Sequence, residues 1–259
     1  MTPIQAGLMG IVQGLTEFLP ISSSGHLALS RHLLNVAMAE DISFEVAVHA
    51  GTLIAVLIYF RLRIVELVRD TFKGDKNGWR YIGYLFIGTI PAAAIGLPLE
   101  DHITVIFNSL TWVGIAWIVT AIILFTGEWL AKGKLSDREM GWLRAVGIGF
   151  AQALALIPGI SRSGSTIAMG LMLKLDRRSA VDFAFLLSLP AVGGATILTI
   201  PDWVSGNVGF GIEHIIGGLA AAISGYFAIA WMIRVVAGAK LRWFALYCLI
   251  LGILSITLS

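Results

Sequence analysis

The sequence predicts an all-α polytopic membrane protein of about six transmembrane helices plus two re-entrant helical hairpins, arranged as an inverted repeat. Three observations carry this. Of the 259 residues, 57% are hydrophobic and only 13% charged, where a soluble domain would carry about 25% charged. Apolar runs of roughly 18 or more residues recur, each long enough to cross a ~30 Å hydrocarbon core as a helix. Two further apolar regions are broken by Pro, Gly and Ser clusters, and each fits a pair of half-helices better than one span. Barrel strands would instead show short segments of alternating polarity.

The six spans cover residues 42–60, 81–97, 112–130, 183–200, 215–236 and 244–258. The first apolar stretch lacks a basic leader and carries Gln13 and Glu17, so it is read as part of the mature fold rather than as a signal peptide. Cys248 is the only cysteine, which rules out an intramolecular disulfide. With this composition the expected surroundings are lipid, and no nucleic-acid partner is expected.

Charge sets the expected orientation. Arg61, Arg63, Arg69, Lys73, Lys76 and Arg80 fill one connection, and Lys132, Lys134, Arg138 and Arg144 another. Lys174, Arg177 and Arg178 precede the fourth span, while Arg234, Lys240 and Arg242 join the last two. Together these are 16 of the 18 Lys and Arg residues. Connections 99–111 and 201–214 hold none, but carry Glu100, Asp101, Asp202 and Glu213. The positive-inside rule places the basic connections in the cytoplasm and both termini outside. The count closes only if the broken regions, about 2–36 and 141–175, enter and leave on one side each. Irregular backbone at membrane depth is tolerated where protein or water covers it.

The broken regions also match each other. At an offset of 139, Gly10 pairs with Gly149, Gln13 with Gln152, Ser22 with Ser161, Ser24 with Ser163, Gly25 with Gly164 and Phe44 with Phe183. Residues 87–95 echo 216–223 more weakly. The chain thus reads as one membrane domain, 1–259, with halves of about 1–135 and 136–259. Three spans per half invert the second half, an arrangement that puts a polar site near the midplane where the repeats meet.

The chemistry sits in the two breaks. In the first, Gln13 and Glu17 share a helix face, Pro20 stops the helix, and Ser22, Ser23, Ser24 and His26 open the next one. A carboxylate inside an apolar segment is a functional residue by default. Helix starts favour anions. In the second, Pro158 and Gly159 lead into Ser161, Arg162, Ser163 and Thr166, where a guanidinium can hold two phosphate oxygens. The expected catalytic set is Glu17, Ser23, His26 and Arg162. Ser22, Ser24, Ser161, Arg162, Ser163 and Thr166 are expected to hold phosphate, and Glu17 with Gln13 to hold Mg²⁺ or Ca²⁺. Of the other ionisable residues in the spans, His49 reads as a packing residue, Glu45 as interfacial, and Asp182 as a partner of Arg178.

Gln13-x-x-x-Glu17, followed by Pro-x-Ser-Ser-Ser-Gly-His26, and Pro158-Gly-x-Ser-Arg-Ser-Gly-x-Thr166 resemble the two signature motifs of the undecaprenyl-diphosphate phosphatase family, also known for bacitracin resistance. The resemblance covers essentially the whole chain. Family members often have Glu where this chain has Gln13, which leaves Glu17 as the better-supported metal or acid–base residue. The resemblance implies metal-dependent hydrolysis of undecaprenyl diphosphate to the monophosphate at the outer face of the cytoplasmic membrane, recycling the carrier for cell-wall synthesis. The partner it implies is a prenyl diphosphate lipid, and a homodimer is left open. The nucleophile is Ser23 assisted by His26, His26 itself, or water activated by His26. A secondary transporter or flippase of an anionic lipid would share the inverted repeat and the buried Arg162. An intramembrane serine protease would use Ser and His but not the Arg or the acid.

Overall fold

The structure is a computed structural model and describes residues 1–34, 42–107, 109–204, 210–238 and 240–257. Among these residues all regular secondary structure is helical, apart from one isolated bridge between Leu135 and Leu175. The end of the first broken region at 35–36, part of the connection 201–214 and residue 258 lie outside the described residues.

The helices are α1 (Pro3–Phe18), α2 (Ser23–Leu33), α3 (Ile42–Tyr59), α4 (Arg61–Phe72), α5 (Lys76–Phe107) and α6 (Leu110–Leu130), then α7 (Trp142–Leu154), α8 (Arg162–Met172), α9 (Arg177–Val204), α10 (Ile212–Ala237) and α11 (Leu241–Thr257). Every predicted span is carried by one helix, in order α3, α5, α6, α9, α10 and α11. Segments 110–130, 177–198 and 212–237 are each long and apolar enough to cross a membrane. The protein is a polytopic helical membrane protein.

Two expectations for the connections change. Residues 61–80, counted as a basic loop, contain α4. Its Leu62, Val65, Val68 and Phe72 are exposed while Leu67 is buried, so apolar residues at helical spacing outweigh the charge between them. The connection 99–111 is mostly a continuation of α5, which runs through Pro91 and Pro98 for 32 residues. At a 1.5 Å rise α5 is about 48 Å long, well beyond the hydrocarbon core. Polar residues ended the apolar run there without ending the helix.

Each broken region forms two short helices joined by a turn. They have 16 and 11 residues in the first and 13 and 11 in the second, each shorter than the roughly 20 residues a span needs. Glycines let them pack backbone to backbone. A Cβ on Gly10 of α1 would run into the Gly217 carbonyl of α10, and one on Gly149 of α7 into the Gly88 carbonyl of α5. Gly114 of α6 and Gly252 of α11 face each other's carbonyls in the same way. At the basic end, Glu128 of α6 accepts from Arg177 (3.3 Å) and from the Leu241 N–H (3.1 Å), fixing the starts of α9 and α11 to α6.

Candidate active site

The first hairpin builds half of the site. Gln13 and Glu17 lie one turn apart on the buried face of α1. The helix stops at Phe18 because Pro20 disfavours helical geometry in the residue before it, and Leu19 is extended, with ψ 146°. Ser22 then caps α2, its Oγ accepting the Gly25 N–H at 3.3 Å. Ser22 itself holds φ 67° and ψ 100°, a conformation that costs a non-glycine residue about 1–3 kcal/mol. That turn brings the Ser22 carbonyl to 2.7 Å from His26 Nδ1.

The second hairpin supplies the other half. Ser161 caps α8, accepting the Gly164 N–H at 3.1 Å, and Arg162 is the first residue of the helix. Gly159 is required in the preceding turn. Its φ is 98°, and a Cβ there would collide with Ala116 and the Val113 carbonyl. Thr120 of α6 braces this turn, accepting the Ser161 N–H at 3.1 Å and donating to the Gly159 carbonyl at 3.0 Å.

The two turns are stitched together. Ser163 Oγ donates to the Leu19 carbonyl at 2.9 Å, and Ser24 Oγ accepts the Gly159 N–H at 3.3 Å. Trp117 donates from its indole to the Ile21 carbonyl at 2.8 Å. A rigid polar junction results, held from one side by α6.

At the junction lies Glu17, 6% exposed. Arg162 donates to its Oε1, Ser23 Oγ donates to its Oε2, and Gln13 Nε2 donates to Oε2 at 3.0 Å. His49 Nε2 of α3 stands 3.8 Å from the same oxygen. An isolated buried carboxylate would be prohibitively costly, and it is this guanidinium and these donors that offset its desolvation.

Of the predicted residues, Gln13, Glu17, Ser23 and Arg162 therefore form one cluster. The Ser23 hydroxyl is bonded to Glu17, not to His26, because the turn through Pro20 folds the start of α2 back onto the end of α1. His26 is engaged by Ser22 and by Tyr247. Ser22, Ser24, Ser161 and Ser163 are committed to caps and turn bonds, and Thr166 Oγ1 donates to the Arg162 carbonyl of its own helix at 2.8 Å. A helix cap and a phosphate ligand share the same sequence form, Ser before Gly, so the motifs alone do not separate them.

Sequence reasoning missed two residues. His49, read as a packing residue, reaches Glu17, and its only signal was a position one turn after Glu45 in an apolar span. Tyr247 of α11 lies 2.8 Å from His26 Nε2, and nothing in the last span distinguished it. Glu45, read as interfacial, accepts from the buried Arg31 at 2.9 Å. Asp182 pairs with Arg178 at 2.8 Å as expected.

The donors suit a hard cation in kind. Gln13 Oε1 is buried without a hydrogen-bond partner, and it stands with the Glu17 carboxylate and the Ser23 hydroxyl as an all-oxygen set. No group of three or more His, Cys, Asp or Glu side chains suited to a metal occurs among the described residues. With one carboxylate, the set fits an ion whose shell is completed by a substrate phosphate, as is usual for Mg²⁺.

A sequence model of the bacitracin resistance protein BacA matches residues 6–254. The chain belongs to the BacA family. Its relatives in that family are similar from end to end. The undecaprenyl-diphosphatase of Carboxydothermus hydrogenoformans is 40% identical over 264 residues, covering 100% of this chain and 98% of that protein. That of Alkaliphilus metalliredigens is 41% identical, covering 100% and 99%, and that of Methanosphaera stadtmanae 38%, covering 99% and 98%. The BacA match takes in the turns of both hairpins and every residue that touches Glu17.

Proposed function

We propose that the protein hydrolyses undecaprenyl diphosphate to undecaprenyl phosphate and inorganic phosphate, recycling the lipid carrier for cell-wall synthesis and so conferring bacitracin resistance. The observation that carries this is the Glu17 cluster. A hydroxyl, a carboxylate and a guanidinium from two hairpins meet at one buried point, in a chain whose BacA relatives bear the name undecaprenyl-diphosphatase.

The geometry supports Ser23 as nucleophile and Glu17 as its base. As Ser23 Oγ attacks the terminal phosphorus, its proton passes to the carboxylate that already accepts it. The bond from that phosphorus to the bridging oxygen breaks, and undecaprenyl phosphate leaves with the electron pair. Water then attacks the phosphoserine and gives its proton to a neighbouring base; the Oγ–phosphorus bond breaks, Ser23 Oγ takes back the proton held by Glu17, and inorganic phosphate is released. Arg162, with 21% of its side chain exposed, has donors left for the phosphoryl oxygens and stabilises the charge that spreads over them. His49, with Nε2 3.8 Å from Glu17 Oε2, stands beside the cluster as a proton carrier. A divalent cation held by Glu17 and Gln13 would neutralise phosphate charge when bound.

We further propose that α1–α2 and α7–α8 are re-entrant hairpins of an inverted repeat with halves of about 1–135 and 136–259. The reciprocal glycine contacts support this, since Gly10 against Gly217 and Gly149 against Gly88 are equivalent pairs under the repeat. The distribution of Lys and Arg supports a cytoplasmic membrane location with both termini, and the mouth of the first hairpin, outside. In the same reading, the all-oxygen donor set supports dependence on Mg²⁺ or Ca²⁺.

The test is phosphate release from undecaprenyl or farnesyl diphosphate by purified protein, with Mg²⁺, with Ca²⁺ and with EDTA, beside Arg162→Ala. Metal-dependent release lost in the variant is the expected result. A well-folded wild type that releases nothing under any of these conditions would turn the reading towards transport of an anionic lipid.

A further inference from the structure

Helix α11 meets the first hairpin at two neighbouring residues. Cys248 Sγ lies 3.6 Å from the Pro20 carbonyl, and the Tyr247 hydroxyl lies 2.8 Å from His26 Nε2. The two rings are nearly parallel, 5° apart with centroids at 5.7 Å. The Trp117 ring packs edge-on against the same imidazole at 5.3 Å. His26 is thus held between α6 and α11, with both nitrogens occupied.

The occupants define its protonation pattern. A carbonyl oxygen only accepts, so the Ser22 carbonyl at 2.7 Å requires a proton on Nδ1. In neutral His26 the lone pair is therefore on Nε2, and the Tyr247 O–H donates to it. Nε2 is the ring position left to exchange a proton with anything in the site, and Tyr247 covers it. Tyr247 itself is 41% exposed, on a face of α11 shared with exposed Trp243, Ile250 and Leu254, which in a membrane is a face turned to lipid.

We propose that Tyr247 is a gate on His26. Its hydroxyl occupies Nε2 in the substrate-free protein, and a phosphoryl oxygen of the lipid diphosphate, arriving from the lipid-facing side of α11, takes its place. The exchange breaks the Tyr247–His26 bond; a proton carried on the diphosphate passes from its phosphoryl oxygen to Nε2, and the Nε2–H of the resulting imidazolium donates to that oxygen. Tyr247, already at the lipid boundary, turns outward beside the prenyl chain. The identity of the displacing ligand rests on the phosphatase reading. The cover on Nε2 does not.

The test is acylation by diethyl pyrocarbonate, which attacks an unprotonated ring nitrogen, read residue by residue by peptide mass spectrometry. His32, exposed on the same helix, is the internal reference. In Tyr247→Phe the His26-to-His32 rate ratio should rise roughly 2- to 12-fold, the factor carried by one hydrogen bond of ordinary strength. Farnesyl diphosphate with EDTA should slow His26 labelling in both proteins, and KM for the lipid should fall in the variant. An unchanged labelling ratio overturns the gate, and so does a raised KM, which would make Tyr247 a substrate ligand instead. Tyr247→Leu repeats the labelling test should the phenylalanine variant fold poorly. Because labelling needs no turnover, a wild type without phosphatase activity would sink the proposed function while leaving the gate to be judged on its own.

Discussion

Arg162 donates to Glu17 across 145 positions of sequence, and this one ion pair joins the two hairpins at the point where the chemistry is proposed. Its two members are unequally exposed, 21% for the arginine side chain and 5% for the carboxylate, so removing either leaves a different residue. Glu17→Gln strands a guanidinium that retains some contact with solvent, whereas Arg162→Ala strands a carboxylate that has almost none. Breaking a buried pair from one side costs about 3–5 kcal/mol, and Arg162→Ala should lie nearer the upper end. The double variant should be more stable than the sum of the singles predicts. Thermal unfolding in detergent of the four proteins closes this cycle, and strict additivity would refute the coupling.

Ser23→Ala should abolish turnover while leaving the fold intact, since Glu17 keeps Arg162 and Gln13. The expected fall in kcat is at least about 100-fold, the scale of losing an activated nucleophile or its base. Wild type quenched in acid, which preserves phosphoserine, and in parallel in alkali, which preserves phosphohistidine, should carry one phosphoryl group placed on Ser23 by fragment-ion mass spectrometry. Phosphate on His26 or His49, with none on Ser23, would reassign the nucleophile. Ser24→Ala should be far milder, because Ser24 Oγ serves the Gly159 amide in the turn.

These two cases show how far the sequence could be read. Glu17 and Arg162 were legible because a charge in an apolar segment has few structural excuses, and the helix breaks were legible from Pro20 and Pro158. Ser161, Ser163 and Thr166 were assigned to phosphate, yet their hydroxyls serve caps and carbonyls. His49 and Tyr247 were invisible for another reason. Each belongs to a helix outside both motifs, and only packing brings α3 and α11 against the first hairpin. Helix α4 was hidden by its own arginines, which mark a connection without saying whether it is helical.

Gly10→Ala and Gly149→Ala should destabilise the protein to a similar extent. Each adds a methyl where a helix backbone already touches, the Gly217 carbonyl in one case and the Gly88 carbonyl in the other. A carbonyl cannot rotate away as a side chain can, so the helices must separate, at a cost of about 1–3 kcal/mol for overpacking. Matched losses in thermal stability would support the repeat. A large loss at one glycine and none at its counterpart would argue that the halves are not equivalent.

Gln13 gives the sharpest test of the proposed cation, because its amide nitrogen is bound to Glu17 while its oxygen is buried and unpartnered. Gln13→Leu removes that oxygen and the bond orienting the carboxylate, so the Mg²⁺ concentration for half-maximal activity should rise roughly 10- to 100-fold, as when a partner of a metal ligand is lost. Gln13→Glu keeps the oxygen and adds a charge, so the same concentration should fall. The second substitution also places two carboxylates one turn apart with a single guanidinium between them. Without metal it should therefore be less stable than wild type, and Mg²⁺ should restore it. Thermal unfolding with EDTA and with Mg²⁺ reads this apart from activity. If neither substitution moves the metal dependence, Gln13 is a buried orienting residue and takes no part in holding the ion.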